Sequence, residues 1–173
     1  MKEYITDSLL ILMKTKDYKD ILIGEITSKA GVHRSTYYRN FDSKEDIVRY
    51  YYTWILEEYR MQISFQDIDL KAYLLNVFTH YYHYKEQLIL LHKSGLSYLM
   101  LDSLNEIFNS VYGGETMVDR YFVYYHTGGI YNNFILWFTN EMVETPEEIT
   151  EYICSFFPSK FKPMLLALKK QDF

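Results

Sequence analysis

The sequence predicts an all-α fold, with three short helices at the amino end and a larger helical bundle after them. Three observations carry that expectation. Apolar residues recur every three or four positions along the chain, as one buried helix face requires. All three prolines, the strongest helix breakers, fall after residue 145. Glycines stand at 24, 31, 95, 113, 114, 128 and 129, where helices can end or approach one another. With 49% apolar residues, a chain of 173 positions can bury a substantial core.

Each element has its own warrant. A first helix is expected over 2–16, where Ile5, Leu9, Leu12 and Met13 make one stripe before "KDYKD" interrupts it. A short second helix over 24–30 turns Ile26 and Ala30 inward. Gly31 supplies a positive φ for a tight turn, Val32 plugs the core, and a third helix follows over 33–39 with Phe41 anchoring its exit. Ser43 with Asp46 reads as a capping-box variant that starts a helix over 44–62, carrying Ile47, Tyr50, Tyr51, Trp54, Ile55 and Met61. Asp67 or Asp69 caps the next helix, which runs to about residue 84. "KEQLILLHKSG" ends a shorter one at Gly95. Further helices are expected over 96–110 and 116–140. Thr145, Pro146 and Glu148 form a strong start signal for a helix that turns Ile149, Ile153 and Phe157 inward, ending at Pro158; a last helical stretch covers 160–170. The expected units are residues 1–46 and 47–173.

Charge separates these units. The chain carries a formal net charge of −5. Residues 1–50 hold nine basic and eight acidic side chains, so the excess of acid lies in the remainder. Within 27–44 there are four basic residues and one acidic. A polyanion would be attracted there and repelled elsewhere. The segment "GVHRSTYYRNF" (31–41) sits in that basic stretch, directly after the glycine turn.

Two short helices around such a turn have the shape of a helix-turn-helix, whose second helix enters the DNA major groove. His33, Arg34 and Ser35 open that helix with groups suited to base edges; the planar fork of Arg34 matches two acceptors of guanine. Thr36, Tyr38 and Lys44 are suited to the backbone, as are the amides at the starts of the third and fourth helices, and Asn40 is a further candidate DNA contact. Tyr37 is equally suited to the core or to a base. On residue types alone, a solvated polar turn fits as well.

The order of residues decides between them. "IGEITSKAGVHRSTYYRNFDSKEDI" resembles the DNA-binding domain of the TetR family of bacterial regulators. Ile26, Ala30, Gly31, Val32, Thr36, Tyr38, Phe41, Lys44 and Glu45 stand at signature positions, and the resemblance covers about residues 5–50. Leu22 and Ile23 replace the threonine cap common in that family, and Ser35 stands where Gly or Pro is expected. The resemblance implies a regulator, expected to be a repressor, that binds a pseudo-palindromic operator in double-stranded DNA as a homodimer. It further implies control by a small-molecule or protein effector in the C-terminal unit. Tyr38 and Lys44 match positions that touch phosphates.

For the dimer interface the candidates are Tyr125, Gly128, Gly129, Ile130, Phe134, Trp137 and Phe157. Gly128 and Gly129 inside a helix cost about 2 kcal/mol relative to alanine, which close approach of a second helix would offset; a kink within one subunit is the alternative. The glycine pair, Trp137 and "TPEE" also resemble the C-terminal region of some TetR-type regulators. Tyr51, Trp54, Tyr59, Tyr73, Phe78, Tyr81, Tyr82, Leu99 and Tyr121 are candidate walls of an effector pocket, though aromatics at helical spacing serve equally as plain core. A helical interaction module with a non-functional DNA-binding unit is the alternative function.

Other classes find little support. There is no nucleophile–base pair, phosphate-binding glycine loop or dense ligand set, so no enzyme and no cofactor are expected. His80, His83 and Glu86 lie along one helix but read better as a solvated face than as a metal site. Cys154, the single cysteine, excludes an intramolecular disulfide and reads as a small buried apolar group. No signal peptide and no membrane span are read, so a soluble cytoplasmic protein is expected.

Overall fold

Helices in this protein begin where the chain supplies an acceptor for the free amides of a first turn. The computed structural model describes residues 1–62, 69–114 and 116–156. Among them are nine α-helices and no strand: α1 (Lys2–Met13), α2 (Ile23–Lys29), α3 (Arg34–Tyr38), α4 (Lys44–Gln62), α5 (Leu70–Tyr82), α6 (Lys85–Lys93), α7 (Tyr98–Tyr112), α8 (Met117–Thr139) and α9 (Pro146–Cys154). The expected start of α9 is as read: Thr145 Oγ1 accepts from Glu148 N, and Glu148 accepts from Thr145 N at 2.8 Å. Ser43 and Asp46 close the same box at α4. Asp69 caps α5, while Asp67 lies outside the described residues. At α2 half of the box is present, with Glu25 accepting from Leu22 N at 2.8 Å. Leucine has no acceptor to return.

Three helices stop by one device. After α2, Gly31 takes φ +65°, its N–H donates to Ser28 O, and Val32 N–H donates to Thr27 O at 3.0 Å. That double bond pattern is a Schellman motif. Gly95 and Leu96 repeat it after α6, and Glu141 and Met142 after α8. Helix α1 ends at Met13 instead of residue 16 because Lys14 and Thr15 tighten into i→i−3 bonds. A 3₁₀ turn (Tyr18–Asp20) then leads to α2.

Helix α4 holds the molecule together. Its start packs against α1, and Ile47 and Val48 join Ile5, Leu9, Ile26, Tyr37 and Phe41 in one apolar cluster. Farther along, Thr53 donates to Ser103 of α7, and Ile55 O receives His80 of α5. The expected division after residue 46 therefore falls in the first turn of α4, and one hydrophobic cluster runs across it. Met61 is exposed, not inward; it lies about 120° around the helix from Ile55. The core position near that end is Tyr59. Helix α7 lies between α4 and α8, and α9 covers α5 with Ile149 and Ile153 turned inward. Phe157 and residues 160–170 lie outside the described residues.

One half-buried titratable group gives the fold a pH dependence. His126 of α8 sits among Tyr73, Phe108 and Phe122, with its Nε2 3.1 Å from Tyr73 Oη. Burial pushes its imidazole down to about 4. Between that value and the ordinary 6.5 the unfolded chain binds a proton that the folded chain does not. The contribution is complete above pH 6.5 and declines as pH falls toward 4. Burial lowers His80 in the same direction. Thermal unfolding should thus occur at lower temperature at pH 5 than at pH 7.5, and His126→Gln should shrink that difference.

Candidate nucleic-acid interface

The basic segment folds as two short helices whose outer face is set by which side chains the core takes. Tyr37 is fully buried, against Phe41 at 6.3 Å between ring centres. That resolves its two readings in favour of the core, and Tyr37 is not available to a base. Around it His33, Arg34, Ser35 and Tyr38 are exposed. Tyr38 sets its ring edge-on to Tyr37 at 5.2 Å while remaining 56% accessible. Thr36 is half-buried. Asn40 is also half-buried and donates to Thr36 O at 2.7 Å, finishing the helix.

Two findings depart from the sequence reading. Arg39, omitted there from the candidate contacts, is exposed beside Tyr38. Its charge and its place five residues after Arg34 were the available signal. Lys44, expected at a phosphate, is committed internally. Its Nζ donates to Tyr18 O at 2.7 Å and Ile21 O at 2.8 Å, and stands 4.6 Å from the centre of the Tyr18 ring. These carbonyls lie more than 20 residues earlier in the chain. The side chain fastens the α1–α2 connection to the start of α4. Removing it strands carbonyls that an ammonium had satisfied, at about 1.5–3 kcal/mol for hydrogen bonds to a charged group. Lys44→Met should lower the denaturant midpoint accordingly.

The remaining exposed cations, Lys29, Arg34 and Arg39, share this end of the molecule with Ser28, Ser35 and Tyr38. The Arg34 guanidinium crosses the start of α2, 3.8 Å from where a Cβ on Gly24 would lie. Positive charge, hydroxyls and a planar donor fork are thus exposed on the two neighbouring helices α2 and α3 and the residue after them, the groups that contact with an anionic polymer uses.

Among the described residues, several of the aromatics expected to wall a pocket in the C-terminal bundle pack on one another. Phe78 and Tyr81 pack against Phe134, with ring centres 5.5 and 4.4 Å apart, and Phe78 also meets Trp137 at 5.4 Å. Tyr51 stacks on Trp54. Tyr73 and Leu99 are buried as well. Tyr82 is partly exposed and stacks on Trp137, and Tyr121 points to the outside. Space exists elsewhere: a cleft of about 600 Å³ between the later halves of α4 and α5, to which Tyr59 alone of the expected set contributes.

The expected interface residues divide. Phe134 and Trp137 are buried within the chain; the indole of Trp137 donates to Glu144 O at 3.0 Å. Neither is free to face a partner. Ile130 is half-buried against the core. Tyr125 is 81% exposed, and a Cβ built on Gly128 or Gly129 meets nothing within 4 Å. Met117, Val118, Tyr121, Tyr124 and Leu136 extend this outward strip of α8, and Tyr152 and Phe156 are exposed on and just beyond α9. Among the described residues no group of three His, Cys, Asp or Glu can hold a metal ion, and no helix is long and apolar enough to cross a membrane.

No protein-family model matches the chain, and none of the curated proteins does. Among solved structures, it is similar to the dihydroxyacetone kinase operon activator DhaS. The TM-score is 0.58 at 15% identity, over 90% of this chain and 92% of that one. The likeness shows a shared all-helical fold.

Proposed function

We propose that this chain is a TetR-type DNA-binding transcriptional regulator, working in the cytoplasm as a homodimer on a pseudo-palindromic operator. The observation that carries the proposal is the outward face of α3. Arg34, Ser35, Tyr38 and Arg39 are exposed together while Tyr37 and Phe41 fix the helix from beneath. The fold shared with a protein described as an operon activator supports it. Base contacts fall to His33, Arg34 and Ser35, and backbone contacts to Thr36, Tyr38 and Arg39.

The apolar strip of α8 supports the dimer. Its exposed residues recur at helical spacing around a glycine pair where, among the described residues, an added Cβ would meet nothing within 4 Å. Two such strips, with α9 beside each, would make a four-helix interface and set two copies of α3 at a fixed separation. Half-sites one DNA turn apart, about 34–36 Å, would then be read together. An effector acts by favouring one separation over another. Repression is the proposed sign, because a dimer seated on a promoter obstructs it without further contacts; a reporter placed behind the selected operator reads that sign directly.

Selection of bound oligonucleotides from a random duplex library tests the function. An inverted repeat with arms about one turn apart is the expected product. Recovery of no duplex at low salt would favour the protein-interaction module instead.

A further inference from the structure

The cleft between α4 and α5 has a chemistry that selects its occupant. Among the described residues no lysine or arginine lines it, and Glu58 is the one carboxylate. The tautomers of its two histidines follow from their partners. His80 lies 2.9 Å by its Nε2 from Ile55 O, and a carbonyl only accepts, so Nε2 carries the proton and Nδ1 is left as an acceptor. His83 lies 3.3 Å by its Nδ1 from His80 O, which leaves Nε2 as its acceptor. Burial favours the neutral form of His80. Glu58 accepts the hydrogen bond that Tyr84 Oη donates. The cleft is therefore rich in acceptors, carries negative charge and is walled by the rings of Tyr59 and Tyr84.

An anion would be repelled here, and a neutral polyol would leave the carboxylate without a counter-charge. We propose that the cleft binds a small organic cation, a protonated amine or guanidinium, with Glu58 as its counter-ion and the two imidazoles as acceptors. Tyrosine faces favour the same sign of charge, since a ring presents negative potential above its plane. The volume of about 600 Å³ suits a ligand of small-molecule size. Helix α4 carries Glu58 near one end and packs against α1 at the other. Occupancy would thus be felt by the element that supports α3. The role of this ligand as an effector rests on the regulator reading above; its binding does not.

Titration calorimetry of the full chain without DNA tests the site, using putrescine and agmatine as probes and succinate and glycerol as controls. Saturable binding of at least one cation and of neither control is expected. Glu58→Gln keeps an acceptor for Tyr84 but removes the charge, and should weaken binding by about tenfold or more. Thr79→Trp, at an exposed position on the rim, should block it. Far-ultraviolet dichroism confirms that both variants are folded. Equal affinity of Glu58→Gln, undiminished binding to Thr79→Trp, a response to zinc alone, or no binding of either amine would overturn the proposal. Because no DNA is present, such a failure leaves the oligonucleotide selection to stand or fall by itself.

Discussion

Replacing both Arg34 and Arg39 with alanine is expected to weaken binding to a selected operator by about 100-fold or more. The two guanidiniums are exposed at the start of α3 and just beyond its end. One bidentate base contact is worth about 1–3 kcal/mol, and each 1.4 kcal/mol is tenfold. The single variants should differ in kind. Arg34→Ala should relax the preference at one base pair, because it opens the helix that faces the groove. Arg39→Ala, at the helix exit, should weaken all sequences alike and reduce the salt slope by about one. Neither side chain supports the core, so unfolding should be unaffected. Gel shifts across a salt series measure both effects; unchanged affinity in the double variant would remove α3 as the reading element.

The second large effect concerns assembly. Tyr121→Asp with Tyr125→Asp places two charges on the outward strip of α8 without touching Phe134 or Trp137 beneath it. Buried aromatic anchors of an interface are worth about 2 kcal/mol or more each, and an unpaired charge adds a desolvation penalty. Sedimentation should show the native chain as a dimer and this variant as a monomer over the same concentrations. DNA binding should fall with it, since one half-site alone holds weakly. A native chain that sediments as a monomer would exclude α8 as the interface.

How far the sequence could be read depended on the range of each interaction. Helix starts were legible because their determinants are local: Thr145 with Glu148 and Ser43 with Asp46 are three residues apart. The glycine turn after α2 was legible for the same reason. Inward and outward faces were harder. Spacing says which residues share a side of a helix but not which side the core takes, and α8 carries aromatics on every side. Phe134 and Trp137 were therefore grouped with Tyr125, although they face oppositely. Tyr37 and Tyr38 are adjacent and chemically alike, yet one is core and the other surface. The internal bonds of Lys44 were not legible, because its acceptors, Tyr18 O and Ile21 O, come from backbone that no side-chain pattern marks. The polar cleft joins residues of two helices that meet only in the folded chain.

The continuity of α4 has a consequence for how this molecule melts. Ile47, Val48 and Tyr51 belong to the same apolar cluster as Ile5, Ile26 and Tyr37, and also to that of Leu99 and Leu104. Scanning calorimetry should accordingly show a single endotherm, with one van't Hoff enthalpy accounting for the whole heat absorbed. A peptide ending at residue 46 would keep α3 in sequence but lose the floor on which Tyr37 rests, and should be a random coil in water.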